Sequence, residues 1–333
     1  MGLLRSGSII LYVFLLSANP DQKTFISSHN PLVRFTGRVD YSKPGKVCFD
    51  WPGIYFETLF EGTSCELKMN GAGESFNIFL DGTLVKVLKT DTIGKRYELF
   101  CGLDDTVHSL VVSKRYEVEG HIPEIEGFFI DSSKKLCPLY PRPRYRIEFI
   151  GASGLNGFGN KAKTIICESV SDSSDCYYSF GPVTARRLNA EYSVLAITGK
   201  GVVRNWASPF LTSPDAFPVY YSRKIRSVPQ SVWHHHRWVP HVVVVSLGTN
   251  DFSTRPHPPK ALFVYTYWAF LQRIYRVYPG VDIVCMTSDR EPVRTIVREM
   301  VILRPPIKAY LKSSAYPLRK SLSERVLRKS VSI

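Results

Sequence analysis

Residues 147–153 read IEFIGAS, and residues 247–251 read LGTND. In each segment a short apolar run ends on small and polar residues, among them Ser153 and Asn250. Ligands of an open α/β sheet bind at the carboxyl ends of the strands, which is where such runs stop. A hydroxyl at one strand end, with an amide and backbone N–H groups at another, suits acyl transfer, because that chemistry needs a nucleophile beside an oxyanion site.

Strand and helix patterns alternate from residue 145 onward. Strands are predicted at 147–150, 192–198, 242–247 and 281–286, and helices at 181–189 and 261–278. This alternation predicts a doubly wound parallel α/β domain over residues 145–288. The tail of residues 289–333 is basic and has no steady apolar period, so we expect it to break the alternation.

The preceding part of the chain, residues 31–137, has an all-β pattern of short runs rich in branched and aromatic residues. Strands are predicted at 47–51, 54–60, 65–69, 75–80, 84–88, 97–100 and 109–113. Asp81 and Gly82 predict a tight hairpin turn, because glycine tolerates the positive φ that such turns need. This many strands in about a hundred residues predicts a β-sandwich. The proline-rich stretch 136–145 is predicted to be an extended linker between the two domains.

The net charge of +14 is concentrated at one end of the 333-residue chain. Residues 289–333 contain eleven Lys and Arg against four Asp and Glu, a surplus of +7, and the other 288 residues share the remaining +7. No RNA-binding aromatic signature and no zinc-finger spacing accompanies this charge. We therefore expect no nucleic-acid partner.

The N-terminus is typical of a secretory signal peptide, predicted over residues 1–18. Arg5 is followed by an apolar run at 9–16, which is too short to span a bilayer, and by an acceptable cleavage site. The alternative interpretation of this run is a first buried strand. With export we expect a soluble, secreted monomer without a membrane partner.

Of the seven cysteines, Cys167 and Cys176 bracket a polar loop and suggest a disulfide.

Several blocks of the sequence, in order, resemble one family. They are TGRVD at 36–40, FDWPGI at 49–54, the 147–153 segment with GFGN at 157–160, TGKGVVRN at 198–205 and LGTNDFST at 247–254. Over residues 31–288 the chain resembles the two-domain acetylxylan esterases of carbohydrate esterase family 2, within the SGNH (GDSL-type) hydrolase superfamily. The resemblance implies an N-terminal jelly-roll β-sandwich followed by an SGNH-type doubly wound parallel α/β/α domain.

The resemblance also assigns roles to residues. It makes Ser153 the nucleophile and Asn250 an oxyanion donor beside the backbone N–H of Ser153 and that of either Gly199 or Gly201. Ala152 departs from the family, which usually has an aspartate before the nucleophile. The implied reaction removes O-acetyl groups from xylan or glucomannan with no metal or organic cofactor. The aromatic residues Phe158 and Trp206 are candidates to stack on sugar, with core or rim packing as the alternative.

The general base is missing. The family has an Asp-x-x-His segment near its C-terminus, whereas the last histidine here is His257. His257 is a weak candidate base in a proline-rich segment that is more typical of a rim, and residues 234–236, HHH, are more typical of a solvated loop than of a metal site. Either the domain is a degenerate esterase or the C-terminal reading frame is altered. The alternative function is that of an inactive esterase-like domain that binds carbohydrate or another partner.

Overall fold

The structure is a computed structural model that describes residues 23–163 and 169–302, together with the backbone of residues 309–312. The predicted signal peptide lies outside the described residues, as does Cys167. Cys176 is described, and it does not form the predicted disulfide. Its thiol is free and fully buried, with Sγ 3.6 Å from the carbonyl oxygen of Leu155.

The first part of the chain forms two antiparallel sheets, in agreement with the all-β pattern of short runs. One has the order β1-β10-β5-β8, with β3 paired to β10, and the other has the order β11-β4-β9-β6-β7, with β2 paired to β4. The strands are β1 Lys23–Ser27, β2 Arg34–Thr36, β3 Val47–Cys48, β4 Tyr55–Gly62, β5 Cys65–Asn70, β6 Ser75–Leu80, β7 Thr83–Lys89, β8 Lys95–Phe100, β9 Thr106–Lys114, β10 Glu124–Asp131 and β11 Leu136–Cys137.

The two sheets pack face to face through apolar side chains. Phe56 of β4 and Phe128 of β10 are both buried, and their ring centroids are 6.1 Å apart. The hairpin between β6 and β7 turns at Asp81 and Gly82, with φ of +50° and +80°, and this confirms the predicted turn. Because β1 pairs with β10, the β domain extends to Lys23, before the predicted boundary at residue 31.

The second domain contains a five-stranded parallel sheet of order β13-β12-β14-β15-β16. Its strands are β12 Tyr145–Gly151, β13 Ala190–Ala196, β14 Val242–Ser246, β15 Asp282–Met286 and β16 Ala309–Lys312, and its helices are α1 Ser153–Asn156, α2 Phe180–Arg187, α3 Thr249–Phe252, α4 Lys260–Val277 and α5 Val293–Ile302. One face of the sheet packs with α1 and α2, and the other packs with α4 and α5. Among the described residues no helix is long and apolar enough to cross a membrane.

The α/β alternation continues beyond residue 288, where the sequence pattern predicts that it ends. In α5 the buried residues are Val293, Ile296, Val297 and Met300, an apolar face with helical spacing. After α5 the chain returns as β16, which pairs in parallel with β15. Two of the basic residues of this segment, Arg294 and Arg298, lie on the exposed face of α5.

A buried ion pair joins the two domains. Arg38 donates to Glu148 of β12 at 3.1 Å, and both side chains are 1% exposed. The same guanidinium donates to the carbonyl oxygens of Tyr221 and Arg223, and the hydroxyl of Tyr221 donates to Glu148 at 3.1 Å. Burial raises the pKa of Glu148, and the neighbouring Arg38 charge opposes that shift.

Candidate functional site

The strand order reverses between β12 and β14, and this reversal positions the candidate site. Both strands start connections that leave on opposite faces of the sheet, so a crevice opens at their carboxyl ends. Gly151, at the end of β12, is in register with Ser246 of β14 and with Ala196 of β13. The loops that carry Ser153, Gly199 and Asn250 therefore leave the sheet at the same edge.

Ser153 is the first residue of α1 and is half-buried. The first N–H groups of a helix have no partner within it. Within the described residues neither the N–H nor the Oγ of Ser153 has a hydrogen-bond partner, so both are available to a ligand. α1 ends at Gly157 with φ of +77°, where a Cβ atom would lie 2.3 Å from the carbonyl oxygen of Asp175. Only glycine fits this turn.

The segment TGKGVVRN at 198–205, called the second block below, forms a tight turn directly after β13. The N–H of Lys200 donates to the carbonyl oxygen of Ile197 at 3.3 Å, and Gly199, the third residue of the turn, has φ of +79°. A positive φ at that position is what a type II turn requires. In the part of the chain that the structure describes, the N–H of Gly199 has no acceptor.

Gly201 is held differently. Its N–H donates to Oδ1 of Asn205 at 3.3 Å. A Cβ atom at this position would lie 2.0 Å from the carbonyl oxygen of Arg204 and 2.5 Å from Oδ2 of Asp251. Gly201 is therefore required for close packing, whereas Gly199 presents a free donor. Sequence reasoning leaves the choice between these two glycines open, and these contacts favour Gly199.

Asn250 and Asp251 in α3 attach the segment LGTNDFST at 247–254, called the third block below, to the second block. The side-chain amide of Asn250 donates to the carbonyl oxygen of Lys200 at 2.8 Å, and its nitrogen carries a second N–H. The fully buried carboxylate of Asp251 accepts from the N–H groups of residues 202, 203 and 204 at 2.9, 2.7 and 2.9 Å. Burial raises the pKa of Asp251 to about 6, although these hydrogen bonds lower it. Asp251 therefore fixes the loop of residues 202–204.

Arg204 is a buried cation that sequence reasoning missed. Its side chain is fully buried and donates to the carbonyl oxygens of Ser208, Phe210 and Thr254, among other acceptors. A buried charge needs such partners because water no longer solvates it. The guanidinium thereby joins the loop after the second block to the loop after the third. An arginine in a Val-Val-Arg-Asn run carries no local signal for this role.

No described histidine is hydrogen-bonded to Ser153. His257 is half-buried and contacts Phe252 edge to face, with centroids 5.6 Å apart. Residues 313–333, which follow β16, contain no histidine. The described part of the site therefore holds a nucleophile and oxyanion donors without an assigned base.

The prediction of a solvated loop for residues 234–236 is wrong for His235. Nδ1 of His235 lies 2.9 Å from the hydroxyl of Tyr278, and its ring lies against Tyr221 at a centroid distance of 5.0 Å. Desolvation, followed by the charges of Arg38 and Arg273, lowers the pKa of His235 to about 3. His234 and His236 are exposed. Among the described residues, no group of three or more His, Cys, Asp or Glu is arranged to hold a metal ion.

The predicted sugar-stacking residues are both on the surface. Phe158 is 48% exposed and Trp206 is 60% exposed, which rules out the core interpretation. Trp206 contacts the second block through its backbone N–H, which donates to the carbonyl oxygen of Gly199 at 2.8 Å. Phe158 follows α1, and its N–H donates to the carbonyl oxygen of Ser153 at 3.0 Å. Each aromatic ring is thus attached to a segment that carries a candidate site residue.

Comparison with known proteins gives one consistent set of relatives. The family described as carbohydrate esterase 2 N-terminal matches residues 35–139. The acetylxylan esterase / glucomannan deacetylase of Cellvibrio japonicus (strain Ueda107) is 30% identical over 260 residues, covering 75% of this chain and 71% of that protein.

Two similar solved structures are also carbohydrate esterases. A family two carbohydrate esterase from Clostridium thermocellum, in complex with cellohexaose, superposes with a TM-score of 0.78 at 27% identity, covering 84% of this chain and 88% of that one. A further carbohydrate esterase, whose active site is described as displaying divergent catalytic and non-catalytic binding functions, gives a TM-score of 0.75 at 25% identity, covering 90% of this chain and 95% of that one.

Proposed function

The chain belongs to carbohydrate esterase family 2, and from this premise we propose that it removes O-acetyl groups from xylan or glucomannan through Ser153. The observation that carries the proposal is the meeting of three loops at the carboxyl ends of β12, β13 and β14. They bring a half-buried hydroxyl without a described partner to the same edge as a free backbone N–H and an anchored amide. This combination is what attack on an ester carbonyl requires.

In the proposed reaction, Oγ of Ser153 attacks the acetyl carbonyl carbon and the bond to the sugar oxygen breaks. The serine proton passes to the leaving sugar oxygen, and water then hydrolyses the acetyl-serine to acetate. The N–H groups of Ser153 and Gly199 and the second N–H of Asn250 hold the negative oxygen. Each such donor lowers the activation free energy by about 3 kcal/mol in comparable sites. Gly201 takes no part in this step, because its N–H is donated to Asn205.

The substrate class follows from the family and from the exposed rings beside the site. Phe158 and Trp206 offer flat apolar surfaces on which sugar rings stack. An acetylated polysaccharide lying across these rings would present its ester to Ser153. As part of the same proposal, the two-sheet domain has the jelly-roll topology of the family, and the protein is secreted to meet a substrate that lies outside the cell.

A second candidate function is glycan binding without turnover. The observation that favours it is the absence of any histidine after His257, together with the unpaired Oγ of Ser153 among the described residues. A serine without a base loses most of its rate, whereas binding contacts survive. In that case the same crevice holds polysaccharide and does not cleave it.

Acetate release from acetylxylan and from a chromogenic acetate ester tests the proposal, with the variants Ser153→Ala and His257→Ala beside the unaltered chain. We expect weak turnover that Ser153→Ala abolishes, and labelling of Ser153 by an organophosphonate. Robust turnover that disappears with His257→Ala would make His257 the base. A chain that binds acetylxylan but neither turns over nor accepts the label would support the binding function.

A further inference from the structure

Thr198 links the β domain to the second block. It lies between β13 and Gly199, and its N–H donates to Oε1 of Glu117 at 2.6 Å. Its hydroxyl lies 2.9 Å from the hydroxyl of Tyr116 and accepts from the side-chain amide of Asn156 at 3.1 Å. Tyr116 and Glu117 belong to the β domain, whereas Asn156 is in α1, three residues after Ser153. One threonine thus joins three separate segments.

The loop that carries Tyr116 and Glu117 is itself firmly attached to the α/β domain. The carbonyl oxygen of Arg115 accepts from the N–H of Cys176 at 2.6 Å, and that of Val118 accepts from Arg226 at 2.9 Å. Four successive residues of this loop therefore contact the second domain. Glu117 is 9% exposed, and Arg226 lies 3.9 Å from its second oxygen.

Thr198 is also the second residue of the turn over residues 197–200. The direction of the Gly199 N–H depends on the orientation of the peptide group that joins Thr198 to Gly199. A turn can interconvert between types by rotating this peptide group, because types I and II differ in the dihedral angles on either side of it. The positive φ of Gly199 sets this orientation. Contacts to the backbone N–H and the side chain of Thr198 fix the Cα atom from which the peptide group starts, and so set where the turn lies relative to Ser153.

We propose that Glu117 and Tyr116, both from the β domain, are positioning residues that fix in place the turn presenting the Gly199 N–H to the oxyanion. The inference rests on the proposed esterase function. It makes the β domain a functional part of the site, because the loop after β9 supplies the acceptor of the Thr198 N–H. A hydrogen bond from an N–H to a carboxylate is roughly twice as strong as a neutral one, so Glu117 contributes the larger share.

The test compares Glu117→Ala, Glu117→Gln and Tyr116→Phe with the matched control Glu119→Ala, an exposed glutamate in the same loop. Phosphonylation of Ser153 is followed by intact mass, so that the limiting labelling rate and the apparent affinity for the phosphonate are separated. We expect Glu117→Ala to lower the limiting rate by about tenfold with little change in affinity, since misplaced groups slow the bond-forming step. Gln retains a carbonyl acceptor and should restore most of the rate.

Amide hydrogen exchange over residues 197–201 gives a second readout that does not depend on reactivity. Exchange at Thr198 should be about tenfold faster in Glu117→Ala than in the control, because its acceptor is gone. Equal labelling rates and equal protection in Glu117→Ala and Glu119→Ala would overturn the inference. If Glu117→Ala does not fold, Tyr116→Phe decides in its place, and a labelling rate equal to that of Glu119→Ala would overturn the inference. If the unaltered chain is not labelled at all, the esterase proposal fails, and the exchange comparison still decides whether Glu117 holds the turn.

Discussion

The side-chain amide of Asn250 donates to the carbonyl oxygen of Lys200 at 2.8 Å, so the third block is anchored directly on the turn of the second. This contact uses one amide N–H and leaves the other for a ligand. A donor held in this way needs no reorganisation when negative charge develops on a substrate, which is the condition for strong oxyanion stabilisation.

Asn250→Ala removes both the donor and the anchor. We expect the limiting rate of Ser153 phosphonylation to fall by about a hundredfold. Asn70→Ala, the same change at a distant position of the β domain, is the control and should leave the rate unaltered. An unchanged rate in Asn250→Ala would exclude this residue from the oxyanion site.

Free imidazole should act as a base for Ser153. A serine nucleophile needs a proton acceptor, and no described histidine is hydrogen-bonded to Ser153, so a small imidazole can take that role. We expect acetate release to rise with imidazole concentration in the unaltered chain and to stay flat in Ser153→Ala. An equal response in both proteins would mean that imidazole hydrolyses the ester in solution.

A chimera that carries a family-type Asp-x-x-His segment after Lys312 should give the same gain without imidazole.

The two glycines of the second block should respond differently to substitution. Gly201→Ala places a methyl group within 2.0 Å of a backbone oxygen, so we expect loss of folding or a large fall in unfolding free energy. At Gly199 a Cβ atom meets nothing closer than 3.9 Å, and only the positive φ opposes alanine. Gly199→Ala should therefore cost about 1–2 kcal/mol, as measured by urea unfolding. Similar losses for both variants would contradict the distinction drawn between them.

Asp251 should make stability depend on pH. Its pKa in the folded protein is about 6, above the ordinary 3.8. Ionisation therefore disfavours the folded state at neutral pH, and this unfavourable contribution disappears as the pH falls through 6 toward 4. Between pH 7 and pH 4 the unfolding free energy of the unaltered chain should rise relative to Asp251→Asn by about 2–3 kcal/mol. A pH-independent difference between the two proteins would show that Asp251 does not titrate in this window.

The pair Arg38 and Glu148 should be strongly coupled. Glu148→Ala leaves a buried guanidinium without its carboxylate, and we expect a loss of about 3–5 kcal/mol in unfolding free energy. The double variant Arg38→Met with Glu148→Met should recover much of that loss, because no charge remains buried. The exposed pair Lys260 and Glu299 provides the control, and Glu299→Ala should cost less than about 1 kcal/mol. Additive losses at Arg38 and Glu148 would contradict the coupling.

Local patterns predicted much of the fold. β12 and β14 were predictable because parallel strands buried on both faces consist of short apolar runs. The β6–β7 hairpin followed from Asp81 and Gly82. By contrast, β10 was not predicted, since Gly127 interrupts its run and leaves a register shift against β5. The apolar spacing of α5 was present in the sequence but lies within a strongly basic segment, whose charge obscured it.

The blocks of the candidate site were predictable as short motifs, but the contacts that hold them were not. Glu117 and Thr198 are 81 positions apart and belong to different domains. Nothing near either residue in sequence indicates the other. The same holds for His235, which has the local signature of an exposed tract, while its environment is set by Tyr221 and Tyr278 from distant segments. Such relationships follow from tertiary packing alone.

The ion pair between Arg38 and Glu148 has a consequence for how this architecture is inherited. A β domain separated from its partner would remove the cation that Glu148 requires, and the remaining half would hold an unmatched carboxylate in β12, an interior strand of its sheet. We therefore expect exchanges between related genes to keep the two halves together, or to replace one half only by another that supplies the matching charge.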